Sequence, residues 1–166
     1  MFAVLYAITN AFALDLNVEL YTNKYTWKMT PDIIVCKDSP VTVQRVEAAA
    51  QAWREKGIKL GVVRIQTRPD QCKKEYEHSE YGEIIVTCKK RFLDSDEYNG
   101  FTTKYHPPDD DLIVVSAIVE INKETIQEKP WYAHKLLIHE LGHAIGYGHS
   151  SFTKNDVMKP SLSDVH

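Results

Sequence analysis

The feature that most constrains this chain of 166 residues is the run H-E-L-G-H-A-I-G-Y-G-H at residues 139–149. On an α-helix, residues four apart lie on one face, so the imidazoles of His139 and His143 can bind one metal ion. Gly146 can adopt the positive φ at which a helix ends, and the turn there would bring back His149 as a third ligand. Three imidazoles with a fourth position left open are typical of a catalytic zinc site, so the run predicts one catalytic Zn²⁺.

Glu140, which follows the first of these histidines, is the predicted catalytic residue. A carboxylate at this place can hold a water molecule beside the metal and act as its general base. The alternative is an ordinary helix with unrelated surface histidines. Five fixed residues at these spacings should arise by chance in on the order of one in tens of thousands of chains of this length, which favours the metal site.

The run and the residues after it resemble the zinc signature of the metzincin metallopeptidases, H-E-x-x-H-x-x-G-x-x-H followed by a methionine turn. Met158 lies nine residues after His149, where such a turn is expected. Ser150 directly follows the third histidine, and the Met-x-Pro order at residues 158–160 is similar to the matrixin branch, the matrix-metalloproteinase-like family. The close resemblance covers residues 136–160.

This resemblance implies a fold and a role for the methionine. The fold would be the α+β zincin fold of metzincins, a twisted five-stranded mixed sheet with an antiparallel edge strand, two main helices and a short C-terminal subdomain with the Met-turn. Met158 would form an apolar floor beneath the three imidazoles. Residues 14–166 would make up one matrixin-like catalytic domain.

The resemblance also implies an activity. The chain would be a zinc-dependent endopeptidase that hydrolyses peptide bonds of extended polypeptides through a zinc-bound water activated by Glu140. One alternative from another class is a catalytically inactive zinc-containing module that binds a peptide or a protein partner. Another alternative is a metal-dependent hydrolase with a substrate other than protein.

Hydropathy along the chain predicts an order of elements that suits this fold. Apolar, β-branched runs indicate strands at residues 32–35, 59–66, 84–88 and 112–121, and residues 100–105 have the weaker pattern of an edge strand. Ser39 and Pro40 predict the start of one helix, which Gly57 would end, and Pro130 predicts the start of the helix that carries the metal motif. By resemblance, residues 100–105 would be the antiparallel edge, which can bind an extended peptide through its main chain; a loop is the alternative there.

Composition limits the classes of partner. The net charge is −3, with 43% hydrophobic and 26% charged residues, as in an ordinary globular domain. There is no basic excess that would favour nucleic acid and no apolar run long enough to span a membrane. Composition thus favours neither a nucleic acid nor a membrane as partner, and the resemblance implies a polypeptide substrate, bound by what we expect to be a monomer.

The N-terminal residues 1–13 are predicted to be a signal peptide. They are apolar apart from Thr9 and Asn10, and Ala11-Phe12-Ala13 has the small-x-small form of a cleavage site, which predicts a secreted protein. The segment is short and has no basic residue before Lys24, so a buried N-terminal strand is the alternative.

Three cysteines and three aspartates leave further alternatives open. Cys36, Cys72 and Cys88 allow one disulfide with one thiol left over, and a Cys72–Cys88 pair would close a short loop. The aspartates at residues 109–111 could bind Ca²⁺, but we favour a solvated acidic loop there.

Overall fold

The computed structural model describes residues 16–72, 82–89, 99–150 and 156–160. The predicted signal peptide at residues 1–13 lies outside these residues. A short 3-10 helix, Val18–Leu20, comes first. The strands and helices then follow in the order β1 (Thr26–Trp27), β2 (Asp32–Val35), α1 (Val43–Arg54), β3 (Val63–Ile65), β4 (Glu83–Lys89), β5 (Gly100–Tyr105), β6 (Ile113–Val114), β7 (Ser116–Asn122), α2 (Lys123–Glu128) and α3 (Pro130–Ile145).

A five-stranded mixed sheet of order β3-β2-β4-β7-β5 forms the centre of this α+β fold. The first four strands run parallel, and β5 pairs antiparallel with β7 at one edge. The predicted five-stranded sheet and its antiparallel edge at residues 100–105 are therefore confirmed. The separate pair β1–β6 is parallel.

The main core lies between one face of the sheet and helices α1 and α3. Alternate residues of the central strands point into it, because successive side chains of a strand face opposite sides. Trp53 of α1 is fully buried and donates from Nε1 to the carbonyl of Ile138 in α3, at 2.9 Å. The tryptophan thus joins the two helices, as expected of a core residue.

Two element boundaries differ from the predictions. Helix α1 begins at Val43 with Thr42 as its N-cap, whereas Ser39 makes a turn by accepting from the amide of Val41. The predicted strand at residues 112–121 is broken at Val115, since β6 pairs with β1 while β7 pairs within the large sheet. Hydropathy could not show this break, because the apolar run continues through it.

The disulfide joins Cys36 and Cys72, and Cys88 is a free thiol. The pairing of Cys72 with Cys88 is therefore wrong. Cys36 follows β2 and packs with Ile34 and Ile85 on the sheet face opposite the main core. The bond fastens the loop after β3 to this second face.

No helix within the described residues is long and apolar enough to cross a membrane.

Candidate metal centre

Helix α3 positions the first two histidines of the motif. Pro130 lies in its first turn, where the missing N–H removes no helical hydrogen bond. Gly146 has φ +121° and ends the helix, and a Cβ there would fall 2.6 Å from Oδ1 of Asn23. The predicted glycine turn is thus present, and it directs the chain towards His149.

The Nε2 atoms of the three histidines converge on one point. Nε2 of His143 lies 3.0 Å from Nε2 of His139 and 3.1 Å from Nε2 of His149. Within the described residues, this is the one group of three or more His, Cys, Asp or Glu side chains whose ligand atoms converge closely enough to hold a metal ion.

Hydrogen bonds from the other ring nitrogens fix the tautomer of two of these histidines. Nδ1 of His139 lies 2.7 Å from the carbonyl oxygen of Val157, and Nδ1 of His143 lies 2.8 Å from that of Tyr147. A carbonyl only accepts, so each Nδ1 carries the proton and each Nε2 presents a lone pair. Such outer hydrogen bonds commonly orient histidines that bind metals.

These donors fit a metal ion. Two Nε2 lone pairs at 3.0 Å cannot bond to each other, whereas a cation between them is attracted to both. Two imidazoles on one tetrahedral zinc have their nitrogens roughly 3.3 Å apart, close to the observed spacing. Burial lowers the pKa of His139 to about 3 and that of His143 to about 4, so both rings stay neutral, as ligands must be. The histidines could therefore bind a metal ion.

Glu140 lies between α3 and the edge strand β5. Its side chain is only 4% exposed, and its Oε2 accepts a hydrogen bond of 2.6 Å from the hydroxyl of Thr102. Burial raises the pKa of Glu140 to about 7, although the hydrogen bond from Thr102 and the charge of Lys104 lower it. A carboxyl group with such a pKa can both accept and release a proton near neutral pH.

The positive charge of Lys104 in β5 lowers the pKa of this carboxylate. Its Nζ donates to the carbonyl of His143 at 3.2 Å and lies 5.0 Å from the ring centre of Tyr25. Burial lowers the pKa of Lys104, and the charge of Glu140 opposes that shift. The two side chains thus influence each other beside the metal-binding group.

The segment of residues 21–25, called the N-terminal strap below, supports the loop that carries His149. The carbonyl of Thr22 accepts from the amide of Gly148 at 3.1 Å, and Asn23 forms an antiparallel bridge with Tyr147. These contacts hold the two residues that directly follow Gly146. The position of the third histidine therefore depends on a distant part of the chain.

Asp156, which is fully buried, ties the N-terminal strap to the methionine segment. Its carboxylate accepts from the hydroxyls of Tyr21 and Ser150 and from the amide of Met158. Ser150 is the residue after His149, and Val157, the residue after Asp156, supplies the carbonyl that orients His139. One carboxylate thus fixes the surroundings of two of the three histidines.

Met158 is also fully buried, and it packs against α3 at Gly142. A Cβ on Gly142 would fall 2.5 Å from Sδ of Met158 and 2.6 Å from Cζ2 of Trp53. Only glycine leaves room for both side chains at this point of the helix. The role of Met158 as a floor beneath the imidazoles stays a prediction.

Sequence reasoning missed Thr102, Lys104 and Asp156. For Thr102 and Lys104, the only signal in the sequence was that alternate residues of a predicted edge strand face the same side. For Asp156, it was the position two residues before Met158. The carboxylates at residues 109–111 do not form a convergent group with other described ligands. That of Asp110 instead accepts from the amide of Leu112 at 2.9 Å. The Ca²⁺ prediction thus gains no support.

No protein-family model, curated protein or solved structure matches this chain.

Proposed function

We propose that this protein is a zinc-dependent endopeptidase of the metzincin type, with a matrixin-like build. The observation that carries the proposal is the convergence of three Nε2 atoms beside a buried carboxylate. Nε2 of His143 lies 3.0 Å and 3.1 Å from those of His139 and His149, and Glu140 follows the first ligand on the same helix. This set of nitrogen donors is typical of catalytic rather than structural zinc.

In this proposal His139, His143 and His149 hold the ion. When bound, Zn²⁺ supplies Lewis-acid chemistry, polarising the scissile carbonyl and lowering the pKa of a water molecule. Glu140 accepts the proton that water loses as its oxygen attacks the carbonyl carbon. The carboxyl group then passes that proton to the leaving nitrogen as the C–N bond breaks.

The edge strand supports a polypeptide substrate. The amide of Asn122 donates to the carbonyl of Asn99, so these two residues form a hydrogen-bonded pair next to β5. Along the antiparallel register of β5 and β7, pairs that are hydrogen-bonded alternate with pairs that are not. The main-chain groups of Gly100, Thr102 and Lys104 are therefore directed away from β7. A peptide in extended conformation can pair with such an edge, which gives binding that depends little on its sequence.

A catalytically inactive binding module would use the same edge but would gain nothing from Glu140. Burial of a carboxylate costs free energy because it disfavours the charged form, and a binding module has no function for Glu140 that would offset this cost. A metal-dependent hydrolase of non-peptide substrates would gain nothing from the open strand. The buried carboxylate of Glu140 and the open edge of β5 together favour the peptidase.

The test compares wild type with Glu140→Gln, which keeps the shape of the side chain but cannot accept the proton. Zinc content is measured by elemental analysis, and cleavage of an unfolded protein is followed with and without a chelator. We expect one zinc per chain in both proteins and a loss of roughly 10²–10⁴-fold in kcat for the variant. The exposed Glu128→Gln is the matched control and should cut like wild type.

Zinc binding without cleavage by any of these proteins would favour the binding module. Cleavage of non-peptide esters or amides, with no cleavage of unfolded protein, would favour the other hydrolase.

A further inference from the structure

On the face of β5 that packs against α3, two residues contact Glu140, and the metal motif requires neither contact. Gly100 and Thr102 are two residues apart, so they lie on the same face of the strand. Both touch the side chain of Glu140. The carboxylate is therefore held by the sheet as well as by its own helix.

The hydroxyl of Thr102 supplies the first contact. It lies 2.6 Å from Oε2 of Glu140 and 3.1 Å from the main-chain oxygen of the same residue. A hydroxyl has one proton to donate, and the shorter distance assigns it to the carboxylate. A donor to an ionised acceptor makes a short, strong hydrogen bond, which fixes the direction of that oxygen.

The second contact is at Gly100, whose lack of a side chain leaves space for the carboxylate. A Cβ on this residue would fall 2.6 Å from Oε1, 2.8 Å from Cγ and 2.9 Å from Cδ of Glu140. Real Cβ atoms do not approach other atoms so closely, so the carboxylate occupies the space that a side chain at residue 100 would need. One oxygen is thus fixed by a hydrogen bond and the other by close packing.

We propose that Thr102 is a positioning residue for the proton-accepting carboxylate of Glu140, and that Gly100 provides the space in which the carboxylate lies. This inference rests on the proposed peptidase function. The same residues of β5 direct their main-chain groups towards the open edge. A peptide paired with that edge is therefore placed at a fixed distance from the carboxylate, whatever side chains the peptide carries.

Four variants of the full chain test this inference. Thr102→Val removes the hydroxyl at nearly constant shape, Thr102→Ser restores it, and Thr103→Val makes the same change on the opposite face. Thr103 pairs through its main chain with Ile118 of β7, away from the open edge. Gly100→Ala adds the Cβ that would displace the carboxylate.

For each variant we would measure kcat, KM and bound zinc on an unfolded protein substrate. Loss of a hydrogen bond to a charged group should lower kcat roughly 10–100-fold in Thr102→Val, with KM and zinc content within about twofold of wild type. Thr102→Ser should return kcat to within about threefold, and Thr103→Val should leave it unchanged. Gly100→Ala should lose kcat at least as strongly as Thr102→Val, because its Cβ and the carboxylate occupy the same space.

Crystal structures of the zinc-loaded proteins give a readout that does not depend on activity. We expect the carboxylate of Glu140 to leave β5 in Thr102→Val and Gly100→Ala and to keep its place in Thr102→Ser. Wild-type kcat in Thr102→Val, alongside an inactive Glu140→Gln, would overturn the positioning role while the peptidase proposal stands. An active Glu140→Gln would overturn the peptidase proposal. If no protein cleaves any substrate, an unmoved carboxylate in Thr102→Val overturns the inference.

Discussion

Replacing Asp156 with alanine should destabilise the structure that supports the metal centre. The carboxylate is fully buried and accepts from Tyr21, Ser150 and the amide of Met158. Alanine would leave all three donors without their acceptor. The strap and the methionine segment would then lose the side chain that joins them.

The size of the effect follows from the three bonds. Each buried donor left unpaired costs about 1–3 kcal/mol, and both hydroxyls can recover part of this by turning towards other acceptors or water. We expect a loss of about 3–5 kcal/mol in the free energy of unfolding for Asp156→Ala. Asp156→Asn keeps one oxygen and the same shape, and the hydroxyl of Ser150 can accept from the new amide. The asparagine variant should therefore lose only about 1–2 kcal/mol.

The assay is denaturant unfolding of the metal-free proteins, followed by zinc affinity in competition with a chelator. Zinc binding should weaken in both variants, since Val157 next to Asp156 orients His139. The exposed Asp38→Ala is the matched control and should change neither quantity measurably. The reasoning fails if Asp156→Ala unfolds at the same denaturant concentration as this control.

Three further predictions concern packing, protonation and the disulfide. Gly142→Ala should lower the free energy of unfolding by about 1–3 kcal/mol through overpacking, even though alanine favours helices, as denaturant unfolding would show. Burial lowers the pKa values of His139 and His143 and raises that of Glu140 to about 7. Acidification destabilises the metal-free folded state through the two histidines and stabilises it through the one carboxyl group, and the two histidines outweigh the carboxyl group. The stability of this state should therefore fall as pH drops from about 6.5 towards 4, which thermal unfolding at several pH values would detect. Reduction of Cys36–Cys72 should lower the free energy of unfolding by about 2–4 kcal/mol, because the unfolded chain then loses a closed loop; unfolding with and without a thiol reductant would measure this.

Each of these three has a control or an opposing outcome. Gly148→Ala has room for its Cβ, whose nearest neighbour is a carbonyl oxygen at 3.9 Å, and should keep the stability of wild type. Equal melting temperatures at pH 7 and pH 4.5 would contradict the role given to the buried histidines. Cys88→Ala should leave the response to reductant unchanged, and a reductant that had no effect on wild type would contradict the stabilising role of the bond.

The metal-binding group could be predicted from sequence because its geometry is mostly local. Helical spacing places His139 beside His143, and the turn at Gly146 determines where the next residues go. The antiparallel edge at residues 100–105 followed from the resemblance and from weak hydropathy. These features depend on short stretches of chain or on a known order of elements.

The support around the group could not be predicted in the same way. The carbonyl of Thr22 meets Gly148 and the hydroxyl of Tyr21 meets Asp156 only after the whole domain has folded. Thr102 appears in sequence as one polar residue in an edge strand, and nothing local indicates that it meets Glu140. The interruption of the strand at Val115 lies within a continuous apolar run and was missed for a similar reason, because it depends on which strands β6 and β7 pair with.

The N-terminal strap has a consequence for the order of events during synthesis. Tyr21 and Asp156 are separated by 135 residues, which a ribosome adds in roughly 7–27 s at roughly 5–20 residues per second. The central sheet can pair during that interval, but the loop of His149 stays unsupported until Asp156 has been made. Zinc affinity should therefore rise only after Asp156 has been made and has folded into place. A chain truncated before Asp156 would carry the three histidines without holding the ion firmly, so full zinc affinity depends on a residue outside the metal motif.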